Sequence, residues 1–122
     1  MIFRSRRLVK TEDLNPRGTL FGGKSMQWID EEAAIFAMCQ LETKNVVTKL
    51  ISEINFLAPG RIGDVIEFGM EVTHIGKTSL TFRCEVRNKD TKSTIVNIDK
   101  MVFVNVDESG SATPHGITEI KE

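Results

Sequence analysis

Only one stretch of this chain can form a long helix, and that stretch is apolar on nearly every side. Residues 24–41 contain no Gly or Pro. Met26, Ile29, Ala33, Phe36 or Ala37, and Leu41 recur at spacings of three and four, which places them along one helix face. Trp28, Ile35 and Met38 add apolar groups on the other sides. A helix of this kind must be covered over most of its surface.

After the helix the hydrophobic period changes to two. Residues 46–57, 65–75, 78–87 and 94–106 read as long strands, rich in β-branched residues. Short turns join them: 58–64, then Gly76-Lys77 as a hairpin connection, then Asn88-Lys89-Asp90. Residues 2–10 supply a first strand whose Arg4, Arg6, Arg7 and Lys10 form one basic face. Between it and the helix, residues 11–23 are a loop of about a dozen residues, a length that is often functional. The predicted fold is therefore α+β, a curved antiparallel sheet wrapped around one central helix. The short links predict a meander, with room for one parallel pair. The domain is single, with its core at about 3–107. Residues 108–122, with Gly110, Pro114 and Gly116, read as an irregular and poorly anchored tail. One layer of sheet leaves its edges and second face open, so at least a dimer is expected.

Composition excludes several classes. A chain of 122 residues supports one core. With 40% hydrophobic and 27% charged residues it is a globular composition, and the net charge of -1 argues against nucleic acid as a partner. No apolar stretch approaches the roughly 20 residues that span a bilayer, and no signal-like segment opens the chain, so no membrane partner and a cytoplasmic location are expected. Cys39 and Cys84 have no CxxC or metal spacing and read as small buried hydrophobes. His74 and His115 stand in no triad or metal pattern. Nucleophile-elbow, Walker and dinucleotide-binding motifs are missing.

Asp30 is then the residue that most needs a role. An acid on a mostly apolar helix costs free energy unless it is paired or used, and apolar surroundings would raise its pKa toward that of a general base. The competing reading is that Asp30, Glu31 and Glu32 mark a solvated stripe. Gly22 and Gly23 lie eight and seven residues earlier, about two turns or roughly 11 Å along the axis. Glycines at a helix start let a ligand approach unpaired N–H groups, which suits an oxyanion or a phosphate; an ordinary helix entry is the plainer reading. Asn15 in the preceding loop either orients a ligand or simply shapes the turn before Pro16. Lys77, Thr78 and Ser79 in one turn and Arg61 in another are candidate phosphate contacts, or plain polar turn residues.

The run Asn15-Pro16-Arg17-Gly18-Thr19-Leu20-Phe21-Gly22-Gly23, followed by Met26 and by Trp28-Ile29-Asp30-Glu31-Glu32-Ala33-Ala34, resembles the acyl-CoA thioesterases of the hotdog superfamily. The similarity is to the bacterial short-chain acyl-CoA hydrolases and the related cytosolic and brain enzymes of vertebrates. It continues through Val46-Val47-Thr48, Asn55-Phe56-Leu57-Ala58-Pro59, Gly63-Asp64 and Gly76-Lys77-Thr78-Ser79. The resemblance implies hydrolysis of acyl-CoA to fatty acid and coenzyme A. It implies homodimers with a continuous sheet, often assembled into hexamers as trimers of dimers, with active sites at the dimer interface. The family's helix acid falls on Asp30, its loop asparagine on Asn15 of the opposite subunit, and its helix-start glycines on Gly22 and Gly23. Thr48 is implied to lie near the site. No metal or redox cofactor is implied, since coenzyme A is part of the substrate. Glu31-Glu32 stands where many relatives carry smaller residues, which bears on acyl preference. Two other readings remain open on the residues: a non-catalytic acyl-CoA-binding module, and an acyl-thioester dehydratase, which would want a catalytic histidine.

Overall fold

The apolar stripe of the helix packs on one face of a single sheet. A computed structural model describes residues 1–121. The elements run β1 (Ile2–Leu8), a 3-10 turn (Thr11–Asp13), α1 (Gly22–Leu41), β2 (Val46–Ile51), β3 (Ile54–Phe56), β4 (Val65–Ile75), β5 (Ser79–Asn88) and β6 (Thr94–Asn105). The sheet order is β1-β4-β5-β6-β2, with β3 also pairing with β6, and every pairing is antiparallel. The expected meander therefore holds for β4-β5-β6 only, and the possible parallel pair does not occur among the described residues. β1 and β2 are separated by the helix in sequence and take opposite edges.

Ala33 and Ala37 are fully buried and bring the helix close to the sheet. Beside them Phe36 packs edge-on against Phe82, with ring centroids 5.0 Å apart, and Phe82 stacks on Phe103 at 5.6 Å. Trp28, Ile29 and Leu41 complete the buried stripe. The helix begins two residues earlier than the expected 24, so both glycines lie in its first turn. It stops at Glu42, whose left-handed backbone (φ 55°) turns its N–H back to the Met38 carbonyl.

Three expectations need correction. The strand expected over 46–57 is broken at Ser52-Glu53. Ser52 Oγ accepts from the Lys100 N–H at 3.1 Å, so a side chain replaces a ladder partner there. The basic residues of β1 do not share a face. A bulge between Phe3 and Ser5 shifts the register, and Arg4 and Arg7 lie over the Phe36 and Trp28 rings of the helix while Arg6 bonds Glu67. The tail is irregular but not poorly anchored. The Asn105 side chain donates to the carbonyls of Thr113 and Pro114, His115 Nε2 meets the Ser79 carbonyl at 3.0 Å, and Gln40 exchanges two bonds with the Lys121 backbone.

The sheet covers only one side of the helix. Met26 and Ile35 are exposed, as are Val47, Leu50 and Ile51 on the β2 edge and Phe56 and Leu57 beyond it. An edge this apolar is a surface for pairing.

On the sheet's other face Glu67 is 2% exposed and receives Arg87 Nε at 2.7 Å and Arg6 Nε at 3.2 Å, with Lys92 Nζ at 3.5 Å. Burial alone would raise its pKa, but the bonds from Arg87 and Arg6 and the charge of Lys92 outweigh it and hold the carboxyl below its usual value. A depressed carboxyl pKa contributes stability that is complete above the unfolded value, 4.5, and is lost as pH falls through the folded value. Glu67→Gln should therefore cost about 1.5–3 kcal/mol at neutral pH, the usual worth of hydrogen bonds to a charged group. Urea midpoints of the two proteins should converge as pH drops below about 4.

Candidate active site

The loop before α1 is held from both ends. Asp13 is buried; its Oδ2 accepts from the Lys10 N–H at 2.9 Å, and its carbonyl accepts from the Phe21 N–H. Asn15 Oδ1 accepts from the N–H groups of Arg17 and Thr19 at 3.0 and 3.1 Å, the Asx geometry expected before Pro16. With the oxygen so engaged, the carboxamide presents its NH2, which meets Thr19 Oγ1 at 3.0 Å. The turn-shaping role and a donor role at Asn15 are thus compatible.

At the helix start no side chain caps the first turn, since the N-cap position is Phe21. The first intrahelical-type bond is Ser25 N–H to the Phe21 carbonyl, and among the described residues no protein group accepts from the N–H of Gly22, Gly23 or Lys24. Three donors and the positive end of the helix are therefore free for a ligand. The two glycines differ. A Cβ on Gly22 would meet the Phe56 ring at an ordinary 3.6 Å, whereas one on Gly23 would lie 2.7 Å from the Phe21 ring. Glycine at 23 lets the Phe21 ring fold across the helix start.

Asp30 is exposed on the single chain, on the flank of α1 that faces β2. Thr48 Oγ1 donates to Asp30 Oδ1 at 3.0 Å. Asp30 and Thr48 share a cavity of about 360 Å³ with Gly23, Met26, Ile51 and Ile54. An open helix N-terminus and a carboxylate thus face one mostly apolar space. The cavity can polarise a carbonyl at one end and activate a water at the other. Asn15 and Gly22 line a different cavity, also about 360 Å³, with Ser25, Phe56 and Pro59. Within one chain, then, Asn15 does not join Asp30.

The remaining candidates lie apart. Arg61 bridges to Thr19 at the edge of the Asn15 loop. Lys77 lines a cleft between the β4–β5 turn and the tail residues Pro114–Thr118. The Thr78 carbonyl accepts from the Asn105 N–H, and the Ser79 carbonyl meets His115. No cluster of metal-ligating side chains occurs among the described residues. Cys84 is buried, and burial followed by the charge of Glu85 pushes its thiol up to about 12. Cys39 is exposed, contrary to the buried role expected of it.

Residues 17–95 match the family model described as the thioesterase superfamily. The chain belongs to that superfamily. An acyl-CoA thioester hydrolase of Haemophilus influenzae, itself named as uncharacterized, is 31% identical over 111 residues, covering 86% of this chain and 71% of that one. The hexameric thioesterase of Yersinia pestis superposes with a TM-score of 0.83 at 28% identity, over 97% of this chain and 96% of that one. An acyl-CoA hydrolase of Staphylococcus aureus, solved with butyryl coenzyme A, coenzyme A and coenzyme A disulfide, superposes with a TM-score of 0.80 at 31% identity, over 90% and 66%. The helix-in-sheet architecture is accordingly the hotdog fold of this thioesterase family.

Thr48, which bonds Asp30 and shares its cavity, is the candidate that sequence reasoning undervalued. Its signal was its place in the first strand after the helix, but only the β2–β6 pairing brings that strand alongside Asp30. The glycine pair yields a direct check. Gly22→Ala should stabilise α1 by about 0.5–1 kcal/mol, because alanine loses less backbone entropy and meets only an ordinary contact. Gly23→Ala should show no such gain, because the Phe21 ring must move. Thermal unfolding of the two variants measures the difference.

Proposed function

We propose that this chain hydrolyses acyl-CoA thioesters to a free fatty acid and coenzyme A, in a site made by two subunits. The observation that carries the reading is the single cavity shared by Asp30, Thr48 and the uncapped helix start at Gly23. The thioester carbonyl oxygen accepts from the Gly23 N–H, with Gly22 beside it. Thr48 holds Asp30 Oδ1, which leaves Oδ2 free for a water. Asp30 takes a proton from that water as it attacks the carbonyl carbon, the C–S bond breaks, and coenzyme A leaves as its thiol with the proton returned. Direct attack by Asp30 would instead give an anhydride. Single turnover in ¹⁸O-water separates the two, because only hydrolysis of an anhydride can put the label into the Asp30 carboxylate.

Asn15 acts on the opposite subunit's Asp30 in this reading. Its separate cavity within one chain and the apolar β2 edge support a partner at that position. Spacing supports it as well. The Staphylococcus aureus hydrolase has been studied as alanine mutants of an asparagine, an aspartate 15 positions later and a threonine 17 beyond that. Here Asp30 follows Asn15 by 15 positions and Thr48 follows Asp30 by 18. The minimal active unit is a homodimer, and the hexameric Yersinia pestis relative supports a trimer of dimers. The reaction requires no metal or redox cofactor, and coenzyme A enters as part of the substrate. None of the described helices is long and apolar enough to cross a membrane. The cytoplasm, where free thiols such as Cys39 persist, is the compartment this reading assigns.

Thiol release from a panel of acyl-CoA substrates tests the proposal. Asp30→Asn should lose about 10²–10⁴-fold in kcat, the range of a general base. Equal rates for variant and wild type would end the proposed role. Asn15→Ala should also lose activity while remaining folded. Subunits of the two inactive variants, dissociated and reassembled together, should regain activity, because a mixed dimer has one complete site. Sites built within single chains would stay dead on mixing.

Arg61, Lys77, Thr78 and Ser79 are proposed for the coenzyme A phosphates. Both cations are exposed, Lys77 in the turn between β4 and β5 and Arg61 in the loop before β4. Arg61→Glu and Lys77→Glu should raise KM for acyl-CoA with little change in kcat, and the effect should shrink at high salt. An unchanged KM in either variant removes that cation from the assignment.

A further inference from the structure

A second slot runs along the opposite flank of α1 from Asp30. It lies between the helix and strands β1 and β4, has a volume of about 380 Å³, and is walled by Ile2, Ile35, Phe36, Phe68 and Met70. That volume falls within the range of about 300–1,000 Å³ typical of small-molecule sites. The bulge in β1 brings Arg4 and Ser5 into the lining together, where regular alternation would have turned one away. Arg4 lies over the Phe36 ring, 5.5 Å from its centroid.

The charges facing the slot are unequal. Glu32 lies at its rim but is held by Arg7 at 2.8 Å. Lys121 closes one end, where its backbone is fastened to Gln40, and its ammonium is held by Glu42 at 2.8 Å. In the adjoining cleft Glu71 is held by Arg83 and by the chain's N-terminus. Arg4 alone has no carboxylate within ion-pair distance among the described residues. An apolar slot with one unmatched guanidinium is complementary to an amphiphile carrying one negative charge.

We propose that this slot binds a free fatty acid, its carboxylate on Arg4 and its chain against Phe36, Phe68 and Met70. The free acid fits better than a thioester, because only the acid brings a negative charge for the exposed Arg4, which already lies over the Phe36 ring. Binding here requires no hydrolysis. If the chain is a thioesterase, the ligand is the class of its own product.

Cys39 lines the slot and supplies the reporter. Cys84 is buried with its thiol pushed up to about 12, so an aromatic disulfide reagent at neutral pH reads Cys39 alone. Dodecanoate should slow that reaction at least tenfold. Butyrate, which has the head without the chain, and dodecyltrimethylammonium, which has the chain with the opposite charge, should not. Across saturated acids, affinity should rise about two- to fourfold per methylene, as expected for burial of CH2 groups. Arg4→Gln, and independently Ile35→Glu at the exposed lip, should abolish the protection. The same protection should persist in Asp30→Asn, which separates this site from the hydrolytic one. Equal protection by the cationic amphiphile, or undiminished protection in Arg4→Gln, would overturn the assignment. So would a Cys39 that reacts only after the oligomer is dissociated by dilution, since another copy of the chain would then occupy the slot.

Discussion

The contact between Phe36, with its small neighbours Ala33 and Ala37, and the Phe82–Phe103 pair underlies the rest of the structure. Alanine at those two positions lets the helix settle on the sheet, and the three rings fill the space between them. Once α1 is fixed there, its rotation about its own axis is fixed too. Trp28, Ile29 and Leu41 must point into the sheet, and Asp30 must emerge on the β2 flank. The chemistry proposed for Asp30 depends on that rotation more than on any bond Asp30 makes itself.

A single sheet cannot cover a helix that is apolar nearly all round. The uncovered remainder organises the surface of this chain. On one flank it forms the cavity of Asp30, Thr48 and Gly23, bounded by the exposed apolar edge of β2. On the other it forms the slot beneath Arg4. Asn15 lines a separate cavity, and the outer edge of β2 has no strand beside it among the described residues. At one end of the slot, the tail returns to Gln40.

Charge is distributed by the same logic. Three cations converge on the buried Glu67, two acids hold Arg7, and Glu71 is paired twice. A carboxylate out of water, as Glu67 is, requires such partners. Among the groups without such a partner in the described residues are the N–H groups at the uncapped start of α1, the second oxygen of Asp30, and the guanidinium of Arg4, which has no ion pair. Those groups mark the places where a ligand can add something the protein lacks.

Much of this was legible in the residues. The period of three and four over 24–41 and the period of two afterward determined a helix lying on an antiparallel sheet, because those spacings put apolar groups on one face of each element. The loop motif around Asn15 and the acid at Asp30 determined the family and the candidate chemistry. Other features were decided only by the tertiary structure. The break at Ser52 depends on a bond to Lys100, and the turn of Arg4 toward the helix depends on register with β4. The anchoring of an irregular tail depends on Gln40, Ser79 and Asn105, residues far from it in sequence. Periodicity reports which face of an element is apolar. It carries no information on which distant backbone group a side chain will meet, and Thr48 comes to Asp30 only because β2 pairs with β6.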